Sequence, residues 1–447
     1  MKKNVLIIGA GKSGSACARL LFKKGFSVFV SDKKDKKEIA KNLSPQIKIL
    51  SEEEAVKKAS LFSFAVKSPG LKSDNPVIIS LLKASVPIRS ELETALNFSK
   101  TKNLIMITGT NGKTTTTALC AFIMSKALKN KGKAYACGNI GYPVSLAVAK
   151  ARENDFLVIE ASSYQLEDSR RISPLSCAIL NITPDHIEHH GSLKSYVRAK
   201  EKIFKFQNKD QFCILNREDK NLILSSRECP SKVLFFSLKP FKGDGAYLKN
   251  KKIFFHMGGK DFYCSTPKFL IGNHNIQNAM AAALCAISCK AKISDVKKAF
   301  SSFKGIEHRI EFVRKIKGVS YYNDSKATNV DSVLIALKAL GKKKNIWLIL
   351  GGRDKMAPYS PLLPLIKKYV KTVLTVGEAA EKIEKTFSGS VKLISAKDIF
   401  RACDIANNQA KKGDIVLLSP ACASYDQFSN FEERGKKFKD YVLRVKA

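Results

Sequence analysis

A chain of 447 residues, 45% hydrophobic with charges throughout, is long enough for about two to four domains with a core in each, and it holds no apolar run of the ~18 residues a membrane span needs. The formal charge of +39 raises the question of a nucleic-acid partner, but lysine is spread over the whole length without a basic tail or a basic run interleaved with aromatics. That distribution favours a lysine-rich solvated surface, able to attract a small polyanion, over a dedicated nucleic-acid face. Eleven cysteines, scattered from Cys17 to Cys422 without a CxxC pair, fit reduced thiols of a cytoplasmic protein, and Cys285 with Cys289 at i,i+4 spacing reads as packing.

At the N-terminus Lys2 and Lys3 precede only the short run Val5-Leu6-Ile7-Ile8, which enters a glycine-rich turn; a strand is expected there and no signal peptide. Gly9-Ala10-Gly11-Lys12-Ser13-Gly14 then opens a helix, and Asp32 ends the next strand, Val28-Phe29-Val30, where a ribose-binding acid belongs. A bare GxGxxG guarantees only backbone amides able to receive a diphosphate, and the domain has too few strands for a second mononucleotide-binding half. Residues 1–99 form this first domain, closed by Ser90-Glu91-Leu92-Glu93 and a helix.

Lys100-Thr101-Lys102-Asn103 leads into the strand Leu104-Ile105-Met106-Ile107, which opens a second domain over 100–303. Here Gly109-Thr110-Asn111-Gly112-Lys113-Thr114-Thr115 lies between an apolar strand and a helix expected from about Thr116, the context of a phosphate loop. Glycines let the backbone close on phosphate oxygens, Lys113 reaches the β and γ phosphates, and the Thr114 hydroxyl can ligate magnesium, so an ATP site is expected. The general GxxxxGK[ST] spacing wants glycine at Ile107, and this compressed form points away from motor proteins and GTPases.

Glu160 closes the strand Phe156-Leu157-Val158-Ile159, and His186 follows Cys177-Ala178-Ile179-Leu180-Asn181; both stand at carboxyl ends of strands, where α/β proteins gather ligands. His186 with His189 and His190 would in isolation suggest zinc, but a strand-end acid beside a phosphate loop favours magnesium. Residues 231–270 read as β-rich, with turns at Gly243-Asp244-Gly245 and Gly258-Gly259. Past Lys304-Gly305 and Glu307-His308-Arg309 a hairpin is expected around Phe312 and Val319-Ser320-Tyr321-Tyr322, in a third domain over 304–447. Strand-like and helical runs alternate throughout, the pattern of α/β parallel sheets covered by helices.

The chain also carries Gly138-Asn139-Ile140-Gly141, Glu160-Ala161-Ser162-Ser163-Tyr164-Gln165-Leu166, Asn181-Ile182-Thr183-Pro184-Asp185-His186, Tyr196-Val197-Arg198-Ala199-Lys200, His274-Asn275 with Asn278, and Asn323-Asp324-Ser325-Lys326-Ala327-Thr328-Asn329. In order and rough spacing these resemble the motifs of the Mur ligase family from end to end. Leu418-Ser419-Pro420-Ala421-Cys422-Ala423-Ser424 and Asn430-Phe431-Glu432-Glu433-Arg434-Gly435 resemble the member that adds D-glutamate in particular.

The resemblance implies three domains: a Rossmann-like UDP-binding domain, a central P-loop ATPase-like domain and a C-terminal Rossmann-like domain. It implies an ATP-dependent ligase joining D-glutamate to UDP-N-acetylmuramoyl-L-alanine through an acyl phosphate, with magnesium, two ions, as cofactor and the third domain closing onto the ATP site. By the same resemblance Ser13, Asp32, Lys33, Ser68, Pro69, Gly70 and Asn139 hold the UDP-substrate, so the first glycine loop is a UDP site and not an NAD site. Gly109 to Thr115, Asn275, Asn278, Arg309 and Asp324 hold ATP, and Thr328, Lys355, Ser424 and Phe431 hold D-glutamate, with Lys326 in the same network. Lys113, His186, Lys200 and Asn139 are the catalytic set; Thr114, Glu160, His186 and Lys200 are the metal set, with Lys200 carbamylated by carbon dioxide into an anionic ligand. Gly351-Gly352-Arg353-Asp354-Lys355 departs from the commoner glycine-glycine-acid form, which weakens the place given to Lys355. A monomer without nucleic-acid partner is expected. The rivals are a sibling ligase with another acceptor, a folate polyglutamate ligase, or a nicotinamide- or nucleic-acid-binding protein.

Overall fold

The computed structural model describes residues 2–41, 43–71, 74–354 and 358–445. They form two compact units, Met1–Pro267 with Asn273–Ser301, and Lys268–Gly272 with Ser302–Ala447. The first unit contains two sheets. One is built from β1 (Asn4–Ile8), β2 (Ser27–Ser31), β3 (Lys48–Leu50), β4 (Phe64–Lys67) and β5 (Ile88–Ser90), all parallel in the order β3-β2-β1-β4-β5. Its strands are apolar on both faces: Val5 and Ile7 enter one core with Val28, Val30 and Val66, while Leu6 and Ile8 enter another with Ala65 and Leu81. Such strands sit only in a sheet covered on both sides, and each fully buried branched side chain contributes about 1.5–3 kcal/mol. The chain reverses direction of travel across the sheet between β1 and β4, and two strands beyond that point leave the sheet one short of the six of a full dinucleotide fold.

The central sheet comprises β6 (Leu104–Thr108), β7 (Ala134–Gly138), β8 (Phe156–Glu160), β9 (Ser176–Ile179), β10 (Phe212–Asn216), β11 (Lys232–Ser237), β12 (Gly245–Lys249), β13 (Lys252–Met257) and β14 (Lys260–Ser265). The order is β14-β13-β12-β11-β10-β9-β6-β8-β7, parallel up to β12 and antiparallel for the last two strands, which is the β-rich stretch expected over 231–270. Because β6 runs between β8 and β9, the loops leaving these three carboxyl ends converge. Leu20, Leu92 and Ala95 share a core with Val144, Ala147 and Val148, so the helices Lys12–Lys23 and Glu91–Leu96 pack on Val144–Lys150 and join the two sheets through one apolar seam.

The second unit is one sheet of β15 (Glu311–Ile316), β16 (Val319–Asn323), β17 (Ile346–Gly351), β18 (Val370–Val376), β19 (Lys392–Lys397) and β20 (Ile415–Leu418), in the order β15-β16-β20-β17-β18-β19. The expected hairpin is β15–β16, turning at Lys317-Gly318, both at positive φ; the other pairings are parallel. Alternate residues again feed two cores, Leu348 and Leu350 on one face and Trp347 and Ile349 on the other. All eleven cysteines are free thiols, and Cys285 and Cys289 are buried. Among the described residues no helix is long and apolar enough to cross a membrane.

Candidate active site

The phosphate loop is shaped by two glycines. Gly109 has φ 150°, and Gly112 has φ 84°, where a Cβ would stand 2.2 Å from Oδ1 of Asn278 and force that side chain to move. With Gly112 left-handed as N-cap, the helix starts at Lys113 and runs to Leu128, three residues earlier than the sequence suggests. Lys113, Thr114 and Thr115 therefore form its first turn, where unpaired amides and the helix dipole favour an anion.

Asn181 braces the loop from the end of β9. Its Oδ1 accepts from the Asn111 amide at 2.8 Å, its Nδ2 donates to the Asn111 carbonyl at 3.1 Å, and its own carbonyl accepts from the Thr110 amide at 2.9 Å. This turn ends the strand at Ile179 instead of Asn181. Nζ of Lys113 donates to the carbonyls of Gly109 (3.0 Å) and Thr110 (2.8 Å), and Nζ of Lys200 donates to the same Gly109 carbonyl at 2.9 Å. Lys200 is 1% exposed, and its ammonium lies 4.5 Å from the centre of the Tyr196 ring. Burial first, and the neighbouring Lys113 charge second, lower its pKa from the ordinary lysine range to about 7.

Glu160 pairs in register with Ile107 on one side and Gly138 on the other, which sets its carboxylate beside the loop. Its Oε1 accepts from Nδ2 of Asn139 at 2.8 Å, while the buried Oε2 has no hydrogen-bond partner. A buried carboxylate oxygen left unpaired is costly unless a cation meets it. His186, left-handed at φ 53° and half-exposed, faces the same cavity. This cavity, about 300 Å³, is lined by Pro69, Gly70, Lys113, Asn139, His186 and Lys200 among others. A second, about 170 Å³, is lined by Lys12, Ser13, Pro69, Glu91, Asn139 and Gly141, so Pro69 and Asn139 border both. The acid with an orphan oxygen, an imidazole and the Thr114 hydroxyl suit a hard divalent cation.

Other sequence-predicted positions lie apart from these cavities. Asp32 accepts from the amides of Ala10 (2.5 Å) and Lys34 (3.0 Å) and so ties the first glycine loop to the end of β2; Lys33 is exposed. Ser68 donates to the Gly9 carbonyl at 3.2 Å. At Gly14 a Cβ would stand 1.9 Å from the Gly9 carbonyl oxygen, whereas at Gly11 it would meet nothing, leaving that stretch of backbone open to a ligand. Asn275 accepts from Asn278 at 3.3 Å on the helix Asn273–Ser288.

In the second unit, Asp324 is 4% exposed and accepts from Ser419 Oγ (2.7 Å) and the Ile310 amide (3.1 Å). Burial outweighs those bonds and the Arg309 charge, and raises its pKa to about 7. Thr328, Ser424 and Phe431 stand on three segments that Arg434 ties together. Its guanidinium donates to Ser325 Oγ (3.0 Å) and to the carbonyls of Ser325 (2.9 Å), Cys422 (3.1 Å) and Ala423 (3.2 Å), while Ser325 Oγ donates to the Phe431 carbonyl at 2.8 Å. Nζ of Lys326 lies 5.7 Å from the centre of the Phe431 ring. Lys355 lies outside the described residues.

Sequence reasoning gave no role to Asn181, Tyr196, Glu91 or Arg434. Glu91 is the least expected: a carboxyl 1% exposed, bonded to the amide and hydroxyl of Ser145, its pKa raised by burial, in the wall of the smaller cavity. The S-E-L-E signature marked it only as a helix start, which Ser90 indeed caps.

A phosphate loop flanked by a strand-end acid and a buried lysine of low pKa defines a nucleotide-using α/β protein. The chain matches the family descriptions "Mur ligase MurD-like, N-terminal domain" over residues 3–90, "Mur ligase middle domain" over 107–286 and "Mur ligase, glutamate ligase domain" over 308–422. It is 44% identical over 443 residues to the UDP-N-acetylmuramoylalanine--D-glutamate ligase of Elusimicrobium minutum, covering 98% of this chain and 97% of that one. It is 39% identical to the protein of the same name from Koribacter versatilis, covering 99% and 98%. Among solved structures, the UDP-N-acetylmuramate-alanine ligase of Thermotoga maritima shares the fold over the whole of both chains, with a TM-score of 0.57 and 19% identity. The chain belongs to the Mur ligase family.

Proposed function

We propose that the protein is the ligase that joins D-glutamate to the L-alanine carboxylate of UDP-N-acetylmuramoyl-L-alanine at the expense of ATP, a step of peptidoglycan synthesis. The observation that carries the reaction type is the convergence of Lys113, Glu160 and Lys200 on one loop between β6, β8 and β9. The acceptor rests on relatives 37–44% identical over nearly the whole chain that bear the D-glutamate ligase name.

The γ-phosphoryl group of ATP passes to the alanine carboxylate, forming an acyl phosphate and ADP. The amine of D-glutamate then attacks the acyl carbon and loses a proton, and inorganic phosphate leaves as the bond between the acyl carbon and its oxygen breaks. Lys113 and the first-turn amides of its helix neutralise the charge on the transferring oxygens, and Asn139, bordering both cavities, orients the acyl end of the substrate. Thr114, Glu160, His186 and Lys200 as its carbamate would hold magnesium, two ions, which when bound offset phosphate charge. The support for the carbamate is the pKa of about 7: a neutral amine is required to attack carbon dioxide, and its lost proton goes to solvent. Ser13, Pro69 and Gly70 with the open backbone at Gly11 hold the uridine diphosphate side, together with Asp32, Lys33 and Ser68. Asn275, Asn278, Arg309 and Asp324 hold ATP, and Thr328, Lys355, Ser424 and Phe431 hold D-glutamate.

The test is phosphate release by the purified protein with ATP, magnesium and UDP-N-acetylmuramoyl-L-alanine, comparing D-glutamate with L-glutamate, L-alanine and diaminopimelate. Release that requires D-glutamate is the expected result. Release with another acceptor overturns the pocket assignment, and none with any acceptor overturns the ligase reading.

A further inference from the structure

The two short helices that follow Glu160 and His186, Ser163–Glu167 and Ile187–His190, bring three ligand-type side chains together outside the cavity just described. Nε2 of His189 lies 2.7 Å from Oε2 of Glu167, and Nδ1 of His190 lies 3.5 Å from Oε1 of the same carboxylate. One ligand atom from each of the three falls within 4.8 Å of the others, the one such trio of histidine, cysteine or acidic side chains among the described residues. An independent observation points to a ligand: the side chain of His190 is wholly buried, and its Nδ1 has no hydrogen-bond partner. Its other nitrogen, Nε2, is fixed at 3.0 Å from Ser163 Oγ, so a proton held on Nε2 leaves the lone pair of Nδ1 facing Glu167. A hydroxyl bonded to the other ring nitrogen orients a metal-bound imidazole in the same way.

We propose that Glu167, His189 and His190 form a binding site for a borderline-soft divalent transition metal of the zinc class, separate from the phosphate-loop magnesium site. Ligand atoms at zinc bond lengths of about 2.0–2.2 Å lie roughly 3.3 Å apart in a tetrahedron; His189 Nε2 stands 2.7 Å from one Glu167 oxygen and His190 Nδ1 3.5 Å from the other, with one ligand atom of each residue within 4.8 Å of the others, so small side-chain turns about an ion reach that spacing. For Nε2 of His189 to ligate the ion, the proton it shares with Glu167 leaves that nitrogen and the ring keeps one proton on Nδ1, remaining a neutral imidazole. Glu167 is 39% and His189 20% exposed at the side chain, so water has access to the fourth position. The Tyr164 ring packs 4.4 Å from that of His189, and Lys202 is engaged by the Glu167 carbonyl. A bound ion would pin the two helices to each other.

The full chain is titrated with zinc against a chromogenic chelator, with millimolar magnesium present. One zinc per chain is expected, weakened at least about tenfold by His189→Ala and by Glu167→Gln, both partly exposed positions. His186→Ala should bind as the parent does, and so should His256→Ala, which removes the exposed His256–Asp261 pair. Equal binding by His189→Ala overturns the site, and loss in His186→Ala alone would place the zinc at the phosphate loop. Cobalt gives a second readout: visible absorption of a tetrahedral centre in the parent, absent from a His189→Ala chain that melts as the parent does.

Discussion

Lys113 and Lys200 donate to one carbonyl oxygen, that of Gly109, at 3.0 and 2.9 Å, although Lys200 comes from 91 residues beyond it. Burial first, and the repulsion of the second ammonium on that acceptor next, make Lys200 the group that yields its proton near pH 7. Activity should therefore rise with pH through about 7 as Lys200 becomes neutral and open to carbon dioxide. Lys200→Ala should lower kcat by at least about a hundredfold, and a short carboxylic acid that refills the anionic position should restore part of it. A parent pH profile flat from 6 to 9 at a fixed concentration of dissolved carbon dioxide would count against this reading.

The same residue shapes stability. A lysine whose folded pKa is depressed to about 7 makes the unfolded chain bind more protons between about 7 and 10.4, so stability rises with pH over that window and is lost as pH falls. Lys200→Met, which carries no proton, should narrow the gap between the melting temperatures at pH 6 and pH 9. Differential scanning at both pH values, on parent and variant, reads it directly.

Asp324 runs the other way. Its folded pKa of about 7 stands above the unfolded value near 3.9, so the native state binds the extra proton, and stability falls as pH climbs from about 4 to 7. Asp324→Asn keeps one oxygen to accept from the Ile310 amide and places its NH2 against the Ser419 hydroxyl, which can turn to accept, so the buried charge is removed with both contacts kept. It should melt higher than the parent at pH 8, with no such gain at pH 4, while losing ligase activity.

Gly112 is held by two constraints that a double mutant separates. Gly112→Ala must suffer the left-handed backbone, about 1–2 kcal/mol, and the collision with Asn278. Adding Asn278→Ala relieves only the second. The single variant should lose nucleotide binding and the double variant regain some stability, both measurable by nucleotide titration and thermal melts.

What was legible beforehand follows from how local each signal is. The phosphate loop, Glu160 and the hairpin β15–β16 are set by residues adjacent in sequence, so glycine placement and apolar runs suffice to find them. The helix starts at Lys113 instead of Thr116 because it opens on the left-handed Gly112, beside which the Asn278 side chain leaves no room for a Cβ, and neither is legible from the neighbouring residues. The strands β3 and β5, three residues each, are too short to show a period. Burial was invisible: nothing in the letters around Glu91 or Asp324 says that their carboxyls leave water. The family resemblance supplied roles for Thr328, Ser424 and Phe431, but not the side chain that draws their segments together.

That side chain is Arg434, 2% exposed, whose fork reaches the segments bearing all three. Burial lowers its pKa to about 10, so it stays charged at neutral pH, and its planar donors match carbonyls from two loops at once. Lysine keeps the charge but replaces the fork with a point. Arg434→Lys should therefore leave two or three carbonyls unpaired, at about 1–3 kcal/mol each, and loosen the segments bearing the proposed D-glutamate residues rather than the phosphate loop. The expected signature is a KM for D-glutamate raised about tenfold or more, with the KM for ATP close to that of the parent. A variant that lowers kcat alone, with both KM values unchanged, would show that Arg434 does not position this pocket.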